Sequence, residues 1–145
     1  SYMDKGDLVP DNVTIQMLKS EVQKSNNANG FIFDGFPRTI SQAEVLDSFL
    51  ESIKMEITAT ISLEVKETVL EERLINRGKL SGRSDDQDID KIKNRFKEYN
   101  IKTSPLKNYY KSKNKLYAVS GIGSIDQIKN RLIDLMNQIK RYDWR

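Results

Sequence analysis

Gly30-Phe31-Ile32-Phe33-Asp34-Gly35-Phe36-Pro37-Arg38-Thr39-Ile40-Ser41-Gln42 is the stretch from which the fold of this chain is read. Phe31 to Phe33 is a short apolar run of the kind that forms a buried strand. Asp34 ends it, and Gly35 and Pro37 force a turn that leaves Arg38 on the far side. A carboxylate and a guanidinium thereby leave the C-terminal edge of a strand together, where open α/β sheets bind their ligands. Such an acid can hold a metal ion through water, and the rigid fork of an arginine can grip a phosphate. The same residues also suit an ordinary strand, a Gly-Pro turn and a surface ion pair.

Outward from this stretch the chain alternates. Upstream, Val9-Pro10-Asp11 reads as a turn ending in an N-cap. Ile15, Leu18 and Val22 then share one helix face, until Asn26, Asn27, Asn29 and Gly30 break the pattern. Downstream, Ser41 to Glu44 has the form of a capping box, and Leu46, Phe49, Leu50 and Ile53 recur at helical spacing. The β-branched, alternating run from Ile57 to Val65 predicts a second strand. A helix over Glu67 to Arg77 is expected to stop at Gly78, with Lys79 to Ser84 as a polar loop. Ile89, Ile92, Phe96 and Tyr99 mark a long helix from about Asp85, which Pro105 kinks or divides before Leu106 and Tyr110 continue the stripe. Leu116 to Ser120 predicts a third strand. Ser124 with Gln127 forms another capping box, opening a helix whose apolar face is Ile128, Leu132, Leu135 and Ile139. Strands alternating with helices imply a parallel sheet covered on both sides, and these strands are few for such a sheet.

The bulk composition narrows the chemistry. A chain of 145 residues makes at most one domain, and 31% charged against 37% hydrophobic residues is a globular balance on the polar side. No run of about 18 apolar residues occurs to span a membrane. With no Cys and no His, disulfides, thiol catalysis, Cys-based zinc sites and an imidazole base are excluded. Carboxylates, Arg, Lys and backbone groups must carry any reaction. A net charge of +3 is too small to argue for nucleic acid and suits a small polyanionic ligand.

The arginines sharpen this. Arg73 and Arg77 are four apart and share a helix face; Arg83 follows a short loop and Arg95 lies on the next helix. Arg77-Gly78-Lys79-Leu80-Ser81-Gly82-Arg83-Ser84-Asp85-Asp86 is a glycine-hinged segment with a cation at each end and two carboxylates at its exit. A solvated charged face would have the same composition, but arginines around one hinged loop also suit a lid closing on phosphates.

Asp34-Gly35-Phe36-Pro37-Arg38 followed by Gln42 closely resembles the turn shared by adenylate kinases. Residues 77–86 resemble the short lid of that family, with Arg73 and Arg77 matching its paired arginines before the lid and Arg83, Asp85, Asp86 and Arg95 those after it. The resemblance runs from Met3 to about Ile139. It includes Gly6-Asp7-Leu8-Val9-Pro10-Asp11 at the edge of an AMP-binding segment (about 1–11), Thr103-Ser104-Pro105-Leu106 at the helix break, and Gly121-Ile122-Gly123-Ser124 at the loop that meets the adenine of ATP.

The resemblance implies a three-layer α/β/α fold of the P-loop nucleoside monophosphate kinase type and reversible transfer of the terminal phosphoryl group of ATP to AMP, giving two ADP. It implies Mg²⁺ carried with ATP and supported by Asp34 through water, and it places Arg38 on the AMP phosphate and Gln42 on the AMP adenine. Asp7, Leu8, Val9, Gly35, Phe36 and Pro37 would line the AMP pocket. Arg73, Arg77 and Gly123 would meet ATP, Arg83 and Arg95 the transferred phosphoryl and the AMP phosphate, and Asp85 and Asp86 would latch the lid. It further implies a cytoplasmic monomer of nucleotide biosynthesis, with no nucleic-acid or membrane partner. The alternatives are a UMP/CMP kinase, against which Gln42 argues, and a non-catalytic nucleotide-binding remnant completed by another chain.

Ser1-Tyr2-Met3-Asp4-Lys5 reads neither as a signal peptide nor as a natural start. No Gly-x-x-x-x-Gly-Lys-Ser/Thr loop occurs in these 145 residues. The sequence is therefore expected to be a partial domain lacking its N-terminal strand and P-loop, and to show no measurable phosphoryl transfer by itself.

Overall fold

A computed structural model describes residues 11–25, 27–82 and 88–143. Helix α1 (Asp11–Lys24) is followed in the chain by α2 (Ile40–Ser52), strand β1 (Thr60–Glu64) and helix α3 (Glu67–Ser81). Helix α4 (Ile89–Glu98), a π-helical turn (Tyr99–Thr103) and α5 (Pro105–Ser112) come next, then β2 (Leu116–Ser120) and α6 (Ile125–Asp143). The two strands pair in parallel, from Thr60 opposite Leu116 to Glu64 opposite Ser120. The α/β alternation and parallel pairing agree with the sequence reading.

Ala43 of α2 and Leu106 and Tyr110 of α5 form the centre of the core, with Ile57, Tyr109 and Leu116 packed around them. Leu46 and Leu50 continue the buried face of α2, and Ile92 is the buried anchor of α4. Outside this core a polar clasp also joins α2 to α5. The Tyr109 hydroxyl donates to Asp47 Oδ2 at 2.5 Å, and Lys113 Nζ donates to the same oxygen at 2.9 Å. Lys113 also lies 2.9 Å from the Tyr109 hydroxyl.

Several local expectations change. Phe31 to Phe33 is not a strand. Apolar side chains favour a strand only where a ladder partner exists, and among the described residues the one sheet contains β1 and β2 alone. Phe31 and Phe33 instead stack with ring centroids 6.2 Å apart, while Ile32 is 84% exposed. Strand β1 is shorter than its β-branched run, because pairing with β2 begins only at Thr60.

Gly78 does not end α3. The helix continues to Ser81 and closes at Gly82, whose φ of 71° and N–H to the Gly78 carbonyl make the left-handed cap. Lys79 to Ser81 are therefore helical rather than loop. At Pro105 the helical stripe is divided as expected, with α5 starting at the proline. A π turn, with Ser104 N–H donating to the Tyr99 carbonyl at 2.7 Å, shifts the register and sets Pro105 at the first position of α5, where no N–H is needed.

The clasp carries a pH dependence. Burial, then the hydrogen bond to Asp47, pushes the Tyr109 hydroxyl pKa up, while the hydrogen bonds to Tyr109 and then Asp47 push that of Lys113 up. Both groups hold their protons more tightly in the folded chain. Their stabilisation is complete below the ordinary Tyr and Lys values of about 10 and is lost as pH rises from there through the folded values. The melting temperature should fall above about pH 10. Asp47→Asn should lower it at pH 7 and flatten that alkaline decline; an unchanged decline in the variant would show that other groups set it.

Candidate functional site

The turn at residues 34–38 is built by its own backbone. Gly35 takes φ 74°, a left-handed conformation that side chains resist, and a Cβ there would lie 3.3 Å from Arg38 Nη2. The Phe36–Pro37 peptide bond is cis. Arg38 Nε then donates back to the Gly35 carbonyl at 2.7 Å, and the arginine side chain lies at the surface. Asp34, also exposed, opens the turn.

Helix α2 starts two residues earlier than its expected Ser41–Glu44 capping box. Thr39 is the N-cap, with Oγ1 accepting from Gln42 N–H at 3.1 Å. Gln42 Oε1 reaches back to accept from Arg38 N–H at 2.7 Å. Thr39-x-x-Gln42 is thus the reciprocal cap, and it outcompetes the Ser41 alternative because both of its members find backbone donors at the true helix start. The consequence is that Gln42 is 2% exposed and fixes the main chain of Arg38. The structure therefore brings Gly35, Arg38 and Gln42 together.

Arg73 and Arg77 lie exposed on α3, and Ser81 Oγ donates to the Arg77 carbonyl at 2.7 Å in the last turn. Helix α4, capped by the Asp88 side chain on Asp90 N–H at 2.9 Å, packs against α3 and carries the half-buried Arg95. Asp7, Leu8 and Val9, and Arg83, Asp85 and Asp86, lie outside the described residues.

The loop after β2 forms at the carboxyl edge of the sheet, beside the end of β1. Gly121 N–H donates to the Glu64 carbonyl at 3.0 Å, and a Cβ on Gly121 would stand 2.5 Å from Val65 Cγ2. Ser124 and Gln127 form the expected capping box, with bonds of 2.9 and 3.1 Å. At the same edge, Lys107 Nζ donates to Glu64 Oε2 at 3.0 Å, which holds the Glu64 carboxyl below its usual range. Arg131, which the sequence reading passed over, donates to the carbonyls of Ser120 and Ile122. Its position seven residues after Ser124 puts it on the loop-facing side of α6, and that periodicity was the available signal.

No group of three acidic or other metal-binding side chains gathers among the described residues. A lone exposed carboxylate such as Asp34 suits a magnesium ion held mainly by water and substrate phosphates, as that ion prefers, and not a protein cage.

The sequence profile described as adenylate kinase matches residues 1–115. An adenylate kinase of Flavobacterium psychrophilum is 57% identical over 139 residues, which cover 96% of this chain and 73% of that protein. The adenylate kinase of Flavobacterium johnsoniae is 54% identical over 138 residues, with 95% and 73% covered. That of Leptospira biflexa is 43% identical over 132 residues, with 91% and 70% covered.

The close approach at Gly121 makes a stability test. Gly121→Ala should destabilise by about 1–3 kcal/mol, since the stiff Val65 side chain must shift. Val65→Ala should relieve part of that cost, so that the double variant unfolds at a higher denaturant concentration than the sum of the single effects requires. Strict additivity would place the strain elsewhere.

Proposed function

The chain belongs to the adenylate kinase family, and from that premise we infer how its residues divide the work of moving the terminal phosphoryl group of ATP to AMP, giving two ADP. It is a phosphotransferase sequence, and relatives at this identity, all named for AMP as the acceptor class, do not favour the UMP/CMP alternative. Phosphoryl transfer requires positioning and neutralisation of charge more than a side-chain base. A chain without histidine is well suited to it.

In our reading Arg38 orients the AMP phosphate. The observation that carries this is the double restraint on it: Nε is tied to the Gly35 carbonyl and the backbone N–H to Gln42 Oε1, so the guanidinium is held at the surface before substrate arrives. Preorganisation of this kind avoids paying side-chain ordering during binding. Gln42 reads the adenine edge of AMP, and Gly35, Phe36 and Pro37 line the acceptor pocket with Asp7, Leu8 and Val9. Arg73 and Arg77 address the ATP phosphates from α3. Arg95, with Arg83, addresses the transferred phosphoryl and the AMP phosphate. The backbone at Gly123 meets the adenine of ATP. Asp34 supports magnesium through its water shell, and the ion, when bound with ATP, supplies neutralising charge at the phosphates. Asp85 and Asp86 latch the closed lid. No helix among the described residues is long and apolar enough to cross a membrane; we place the enzyme in the cytoplasm as a monomer.

Arg38→Ala in the full-length enzyme should lower turnover by about 10²–10³-fold, the scale of one lost transition-state donor. Its melting temperature should stay within a few degrees, because the side chain is exposed. Full turnover in the folded variant would make Arg38 a structural residue.

Gln42→Ala should cost about 1–3 kcal/mol in efficiency with AMP, and least when ATP is the varied substrate. Because Gln42 also clamps Arg38, it should weaken binding of ribose 5-phosphate, which has the phosphate but no base. Gln42→Glu, which keeps the accepting oxygen, should bind ribose 5-phosphate like the parent. A loss confined to ATP would remove Gln42 from the acceptor site.

A further inference from the structure

Arg131 has no assigned role in the family reading above, yet it makes the most concentrated set of contacts at the ATP-facing loop. Its Nη1 donates to the Ser120 carbonyl at 3.0 Å and to the Ile122 carbonyl at 2.6 Å. Ser120 is the last residue of β2, and Ile122 lies between Gly121 and Gly123. A segment with two glycines in three residues is the least restrained backbone a chain can have, and Gly123 sits at φ 118°, outside the range of ordinary residues. One guanidinium nitrogen that bridges carbonyls two residues apart removes that freedom. The rest of the loop is braced from both sides: Ile122 N–H donates to Ser120 Oγ of β2 at 3.3 Å, and Ser124 N–H to Gln127 Oε1 of α6 at 2.9 Å. Gln127 and Arg131 both face Gly123, where an added Cβ would run into Gln127 Oε1 and come within 3.6 Å of Arg131 Nη2.

We propose that Arg131 is a positioning residue for the donor nucleotide: it holds the 120–123 loop in one backbone conformation, so that the adenine of ATP is met by a preformed surface at Gly123. The proposal rests on the assignment of this loop to ATP. The bonds are charge-assisted, which makes them stronger than neutral ones and leaves a neutral side chain of similar length unable to replace them. If the loop were not held, binding the base would have to order it, and ATP affinity would bear the cost while AMP affinity would not. A purely structural tie between α6 and β2 makes a different prediction, since it would lower stability without separating the two substrates.

The test compares Arg131→Met and Arg131→Lys in the full-length enzyme. The Met variant should raise KM for ATP about tenfold and leave KM for AMP within about twofold. The Lys variant, which keeps a charged donor and conserves the fold, should recover part of the loss. In both nucleotide-free variants, amide exchange across Ile122 and Gly123 should quicken, more in Met than in Lys. Equal effects on ATP and AMP, or a lowered melting temperature with unchanged KM for ATP in the Lys and Met variants, would overturn the positioning role. Tripolyphosphate binding serves as the control, because it carries no base and should not respond to Arg131. If the unaltered enzyme binds ATP no better than tripolyphosphate, the loop assignment itself fails, and that failure is visible before any substitution is made.

Discussion

The parallel pairing of Thr60–Glu64 with Leu116–Ser120 is the constraint from which the rest of the architecture follows. Parallel neighbours cannot be joined by a tight turn, so the chain must cross over and return on one face of the sheet. Helices α3, α4 and α5 with the π turn are that crossover. Pairing in this sense also delivers the ends of both strands to the same edge, where the Gly121 N–H bonds the Glu64 carbonyl. A side chain at Gly121 would force Val65 away and spoil this junction. Helix α3 and the glycine loop before α6 both start from this edge, although they lie some fifty residues apart in the chain.

Helix starts do much of the positioning at the candidate site. The Thr39–Gln42 box does more than begin α2, since its glutamine oxygen takes the Arg38 N–H and so sets the exit of the turn. The Ser124–Gln127 box does the same for the loop before α6, with Arg131 extending the hold to the Ser120 and Ile122 carbonyls. In both places a buried or bridging polar side chain satisfies backbone groups that would otherwise seek water. The exposed Arg38 is thereby carried on a backbone tied to the start of α2.

The stability of the chain is drawn from a different region. Ala43, Leu106 and Tyr110 pack at the junction of α2 and α5, and the Asp47–Tyr109–Lys113 clasp closes its rim. The α5 half of this cluster is remote in sequence from the turn, yet it packs on Ala43 and so holds α2, whose first residues the turn depends on. Burial, then the nearby Asp47 charge, pushes the Tyr110 hydroxyl pKa up, so it stays protonated far above ordinary conditions. The core packing and the exposed arginines of the 34–38 turn and of α3 thus occupy separate parts of the chain.

The sequence by itself determined the helix-strand alternation, the Leu116–Ser120 strand, the Ser124–Gln127 box and the family, because each is written in local spacing or in a contiguous motif. Tertiary structure alone decided the rest. Whether Phe31–Phe33 is a strand depends on a ladder partner that no local pattern contains, and its residues form no strand here, with Ile32 left exposed. Gly78 was expected to end α3, but the left-handed φ with its bond to the Gly78 carbonyl falls at Gly82. Ser41 and Thr39 could each cap α2, and the choice of Thr39 turned Gln42 inward onto Arg38. Arg131 was not singled out from the sequence, and it is the fold that brings the Ser120 and Ile122 carbonyls within its reach. A sequence records which groups a residue can bond, and only the assembled backbone supplies the partners.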